Sequence, residues 1–182
     1  MSFLHERLDR AGKHGAMKYN DFDVDLQYSL DQRENELFDS FYYRIFPGLR
    51  RIKLVEDLDL QKKGIDKILY FKDGRILTID EKKRRKDYGD ILLEIWSIWE
   101  QRKPGWLYTC QSDYIVYAIM SSKKVYLLPV LLLKRAWIMN GKNWIKSYDI
   151  ISANNKTYTT KSIAIPTNVL LEAISKEMSQ TF

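Results

Sequence analysis

The chain is short of the residues that build several common kinds of site. A single cysteine, Cys110, among 182 residues excludes an intramolecular disulfide framework and suits a reducing, cytoplasmic setting. Two histidines, His5 and His14, leave too few ligands for a Cys/His zinc site, and in a polar N-terminal arm they read as solvated side chains. Long apolar runs are missing too. The longest, Val125 to Leu133, contains Pro129 and is far too short to cross a bilayer, so no membrane partner is expected. Met1 to Arg7 holds no apolar core of signal-peptide length, so a secretory leader is not expected. There is no low-complexity tract and no repeat.

What is present is an ordinary globular composition, 45% hydrophobic and 30% charged, with enough chain for one sizeable core. Gly12, Gly15 and mixed charge suggest an arm over residues 1–25, followed by a single domain over 26–182. The net charge is +6 and the sequence pI about 9.2, a balance that favours a polyanionic partner.

The most informative stretch runs from Gly64 to Lys82. Ile68 to Phe71 is an apolar strand, Asp73-Gly74 signals a two-residue hairpin turn, and Arg75 to Lys82 is a second strand. Side chains alternate across a strand, so Thr78, Asp80 and Lys82 share one face while Leu77, Ile79 and Glu81 share the other. Asp66, at the start of the first strand, can then meet Asp80 and Lys82 at one end of the hairpin. Two carboxylates suit a hard cation that also takes phosphate oxygens. An adjacent lysine can orient or deprotonate water, or neutralise developing charge. An exposed charged hairpin of purely structural purpose uses the same residue types.

Asp66, a hairpin, then Asp80-x-Lys82 resembles the PD-(D/E)xK nuclease superfamily, the fold of restriction endonucleases and Holliday-junction resolvases. The proline that nominally precedes the first acid is absent, since Gly64-Ile65 stands there. The resemblance covers residues 31–135. It implies an α/β (α+β) sandwich with a central mixed β-sheet flanked by helices, Mg²⁺ or Mn²⁺ held by Asp66 and Asp80, and Lys82 as the lysine of the motif. A helix preceding the first core strand often carries a further acid in this superfamily, and Glu34-Asn35-Glu36-Leu37 looks similar. Glu34 is thus a candidate third metal ligand, with Glu36 the weaker choice; equally, Asp31 and Glu34 form a capping box. Glu94, in the apolar strand Asp90 to Trp99, matches the position of an additional acid in some members. A salt bridge is the alternative reading for it.

Several cations surround these acids. Lys62 and Lys63 lie in the polar connection before Asp66, and Lys83, Arg84, Arg85 and Lys86 follow Lys82, as a loop suited to phosphate contacts. For the rest of the chain the pattern predicts a helix over 31–46 stopped by Pro47-Gly48, and a strand over 50–56. It predicts a second helix from Ser112 to Met120, whose Tyr114 and Tyr117 look like a family helix, and a buried strand over 125–133. A turn is expected at Asn140-Gly141, and a last helix over 168–178 capped by Thr167. Cys110 reads as packing. The leading expectation is a metal-dependent nuclease acting on nucleic acid, with DNA ahead of RNA and a homodimer left open. The alternatives are an inactive nucleic-acid-binding module of the same fold and a basic protein-interaction domain.

Overall fold

Gly64 to Lys82 forms an antiparallel hairpin in the computed structural model of the chain, which describes residues 18, 19 and 32–179, with side chains from 38 onward. The elements in the first half are β1 (Lys18–Tyr19), α1 (Gln32–Ile45), β2 (Leu49–Leu54), α2 (Leu58–Lys62), β3 (Lys67–Phe71), β4 (Ile76–Arg84) and β5 (Asp90–Ile98). The remainder are β6 (Lys103–Pro104), α3 (Trp106–Thr109), β7 (Tyr114–Ile119), β8 (Lys124–Pro129), α4 (Val130–Ser147), β9 (Ile150–Asn154), β10 (Thr159–Pro166) and α5 (Thr167–Lys176). The described residues fall into two compact units. One draws on residues 32–86 and 110–130, the other on residues 18–19, 87–109 and 131–179. The architecture is mixed α/β, with mixed sheets and helices.

The first unit contains a five-stranded sheet in the order β2-β3-β4-β7-β8, antiparallel except for the parallel β4–β7 pair. Helix α1 places Phe38 and Tyr42 one turn apart on its apolar stripe. They close one face of the sheet over Leu49, Leu69, Phe71, Ile79, Val116 and Ala118. Pro47 and Gly48, the latter at φ +80°, stop the helix as its sequence indicated. The hairpin turn is one residue longer than expected. Phe71 N–H bonds Arg75 O at 3.0 Å, and Gly74 supplies the left-handed residue at φ +85°.

Several expectations are corrected. Ser112 to Met120 contains β7 and not a helix. Its apolar side chains point both ways, Val116 and Ala118 toward α1 and Ile115, Tyr117 and Ile119 to the opposite face, all of them buried. A strand buried on both sides has no two-residue polar alternation to announce it, and its spacing imitates a helix. The run over 125–133 is likewise not one strand. Pro129 ends β8, and Val130 opens α4. Nor is Asn140-Gly141 a turn: both lie inside α4, where a Cβ on Gly141 would meet the Trp137 ring at 2.9 Å. This glycine serves indole packing.

The second unit holds the sheet β1-β9-β10-β5-β6. Ile163 and Ile165 of β10 pair with Leu93 and Ile91 of β5, all fully buried. Helix α5 begins at Thr167 after Pro166, which makes no side-chain cap, so Thr167 is the first helical residue and not the cap. His5, His14, Asp31 and the side chains of Glu34 and Glu36 lie outside the described residues.

Candidate active site

Helix α2, read from sequence as plain connection, delivers the first acid. Asp57 caps it by accepting from Asp59 N at 2.8 Å and Leu60 N at 3.1 Å. Its C-terminus closes with Ile65 N bonding Leu60 O at 3.1 Å and Gly64 N bonding Gln61 O at 2.9 Å, with Gly64 at φ +72°. That pair of bonds is a Schellman stop, which needs a residue at ease in the left-handed region. Two residues later Asp66 is pinned through its backbone, its N–H to Ile79 O and its carbonyl to Val55 N–H, each at 2.8 Å. Its side chain is pinned as well, since Asp66 Oδ2 accepts from Glu81 N–H at 2.8 Å.

Asp80 and Lys82 sit in β4, two residues apart and on the same face, opposite the α1 core. The Asp80 side chain is wholly buried, at 0% exposure. Its Oδ1 accepts an ion-paired hydrogen bond from Lys82 Nζ. Its Oδ2 is buried and has no hydrogen-bond partner among the described residues. Burial lifts the Asp80 carboxyl to about 6; Lys82 pulls it down, and the neighbouring Asp66 carboxylate pushes it up again. Lys82 moves the other way from a buried amine. Burial favours its neutral form, yet the carboxylates of Asp80 and Asp66 outweigh that and raise it above the ordinary lysine value. It is therefore an ammonium at neutral pH.

The orphan oxygen faces Gly64. A Cβ there would lie 3.0 Å from Asp80 Oδ2 and 3.1 Å from Cys110 Sγ. Cys110 is buried beside the acids, its Sγ 3.1 Å from Ser112 Oγ, and burial raises its thiol above the usual range. A lone buried carboxylate oxygen is costly unless a proton or cation meets it. Two adjoining carboxylates and an unsatisfied oxygen are a donor set that Mg²⁺ accepts when phosphate and water complete its shell. Among the described residues no group of three His, Cys, Asp or Glu side chains is disposed to hold an ion, and the Glu34 side chain is not one of them.

On the other face of β4 lies a network that sequence reasoning missed. Lys67 is buried at 3% exposure and bridges Asp39 at 2.7 Å and Glu81 at 3.1 Å. Tyr42 Oη donates to Glu81 at 2.6 Å, and burial with the Glu81 carboxylate raises that phenol far above its ordinary value. Glu81 thus anchors the strand from the helix side while its own N–H orients Asp66. A lysine at a core-facing position of an apolar strand was the available signal, because such a cation demands a buried carboxylate.

Glu94 belongs to the second unit, where Glu94 Oε1 accepts from Trp106 N–H at 3.1 Å at the start of α3. Lys62 pairs with Asp59 on the surface of α2 at 3.0 Å, and Lys63 is the exposed C-cap residue. Only part of the basic run is loop: Lys83 and Arg84 continue β4, and Lys83 stacks over Phe38 on the α1 face, 5.2 Å from its centroid. Arg85 and Lys86 follow the strand and are exposed. No family model, curated protein or solved structure matches the chain. No described helix is long and apolar enough to cross a membrane.

Proposed function

We propose that the chain is a divalent-metal-dependent nuclease on a restriction-endonuclease-like sandwich, hydrolysing phosphodiester bonds of nucleic acid, with DNA the leading substrate. The observation that carries this reading is Asp80: a fully buried carboxylate next to Asp66, with one oxygen on Lys82 and the other without a hydrogen-bond partner among the described residues. Such an arrangement is costly in an inert protein and useful where a cation and a phosphate complete it. Asp66 and Asp80 would hold Mg²⁺ or Mn²⁺, with Glu34 as a third ligand on the strength of the family resemblance. When bound, the ion supplies Lewis-acid stabilisation of phosphoryl charge and acidifies coordinated water.

The chain's own residues have separable parts. Asp66 is held by the Glu81 amide, which fixes where a ligand must sit. Lys82, kept as an ammonium by its two carboxylate neighbours, offers positive charge and a hydrogen bond to a phosphate oxygen or an attacking water. As an ammonium it orients and neutralises. The net charge of +6, with Lys63, Arg85 and Lys86 exposed, favours a polyanionic substrate.

The test is incubation of purified protein with plasmid, single-stranded and branched DNA and with RNA, in Mg²⁺ or Mn²⁺ and then in EDTA, beside Asp80→Ala and Lys82→Ala. Cleavage that stops in EDTA and falls by about 10²-fold or more in both variants is expected. Equal cutting by the variants removes the site assignment, and binding without cutting by the wild type leaves a nucleic-acid-binding module.

A further inference from the structure

The sheet face that carries Asp80 and Lys82 does not end at β4. Register fixes what shares it. Thr78 pairs with Ile68, and Ile68 with Lys53; Ile76 pairs with Tyr70, and Tyr70 with Arg51. Directly paired residues project to the same side, so Arg51, Lys53, Ile68, Tyr70 and Ile76 lie on the face of the catalytic candidates, away from α1. Where Asp80 is enclosed, this neighbouring part of the face is open: Arg51 and Lys53 are exposed, Ile76 is 55% exposed, and Ile68 and Tyr70 are half-buried.

The chemistry of that open face is specific. Lys53 makes no ion pair among the described residues. The Arg51 guanidinium lies over the Tyr70 ring, 4.6 Å from its centroid, which leaves its outer plane and N–H edge available. Asp113, which meets this face at Thr78, is engaged by the backbone N–H and hydroxyl of Thr78 at 2.7 and 2.8 Å. Two cations interleaved with an aromatic ring and exposed isoleucine are poorly matched to a duplex exterior, which presents phosphate, sugar and base edges but keeps the flat faces of its bases stacked inside. They match an unpaired strand, whose phosphates meet the cations and whose bases stack on flat or apolar side chains. By strand spacing and rise, Lys53 lies on the order of 12 Å from Asp80, a few nucleotides along such a strand.

We infer that this face is a single-strand track, with Arg51 and Lys53 holding phosphates and Tyr70 with Arg51 forming a base-stacking platform that leads an unpaired strand to Asp66, Asp80 and Lys82. The inference deepens the nuclease reading and rests on it for what happens at the end of the track.

Fluorescence anisotropy with a labelled single-stranded oligonucleotide and a duplex of equal length, in EDTA across a salt series, tests it. The proteins are wild type, the Arg51→Ala/Lys53→Ala double variant, Tyr70→Ala, and a control in which Arg85 and Lys86 become Ala, each checked by thermal melting for a wild-type fold. Single-strand affinity should fall about tenfold in the double variant, with the slope of log K against log salt shallower by about 1.4. Tyr70→Ala should weaken single strands at least several-fold with little change of slope. Duplex affinity should change less in both. Unaltered single-strand binding in the folded double variant, equal losses for duplex and single strand, or wild type that binds no single strand would overturn the track. Loss confined to the Arg85/Lys86 control would also overturn the track while leaving the nuclease reading intact. Track-dependent binding by a protein that never cuts would sink the nuclease reading and keep the surface.

Discussion

Replacing Asp80 by Asn should stabilise the protein at neutral pH while abolishing the proposed nuclease activity. Folding moves the Asp80 carboxyl from 3.8 to about 6, a rise of roughly two units or roughly 3 kcal/mol at 1.36 kcal/mol per unit. Between those two values the folded chain holds a proton that the unfolded chain has released, so wild-type stability falls as pH rises through that window. Above about 6 the full cost of ionising a buried, half-satisfied carboxylate is present; below about 4 both states are protonated and it is absent. Asp80→Asn keeps the shape, has no such proton and escapes that slope. The stability of the variant relative to wild type should therefore grow in the variant's favour by roughly 3 kcal/mol from pH 4 to pH 8. Urea unfolding in EDTA at unit steps of pH measures it. A difference that stays flat across the range, or that moves in favour of wild type as pH rises, refutes the claim that Asp80 is held ionised against its surroundings. Adding Mg²⁺ should narrow the gap at pH 8, because a cation that binds only the folded wild type raises its stability by mass action.

Other outcomes follow from neighbouring residues. Gly64→Ala forces a side chain into a φ of +72° and to within 3.0 Å of Asp80 Oδ2, so we expect a loss of about 1–3 kcal/mol and much weaker divalent-ion binding, read by chemical unfolding and ion titration. Lys67→Met leaves Glu81 buried without its cation, which should cost about 3–5 kcal/mol; a loss below about 1 kcal/mol would mean that the pair is dispensable. Tyr42→Phe removes only the 2.6 Å bond to Glu81 and should cost about 1–2 kcal/mol in the same measurement.

How much of this was legible depended on how local the cause was. The hairpin from Lys67 to Arg84 follows from short-range rules, and so did the assignment of Asp80 and Lys82 to one face and Glu81 to the other. Helix α1 announced itself through Phe38, Tyr42 and its Pro47-Gly48 stop. Strand β7 did not, because its identity is set by burial on both faces, which is a property of the folded sheet. Helix α2 escaped notice because five residues carry too little periodicity, although Lys63-Gly64 is the signature of a helix stop. The network of Lys67, Glu81, Tyr42 and Asp39 links residues up to 42 positions apart only through sheet register and helix docking. No sequence spacing encodes it. The orphan state of Asp80 Oδ2 likewise depends on Gly64 and Cys110 closing around it.

The central claim is that Asp66 and Asp80 form one divalent-cation site, and Mn²⁺ binding followed by electron paramagnetic resonance tests it most directly. Wild type should take up one tightly held Mn²⁺ per chain, competed by Mg²⁺. Asp66→Asn and Asp80→Asn should each lose it, and Lys82→Ala should retain it. Undiminished Mn²⁺ uptake by folded Asp80→Asn would contradict the account.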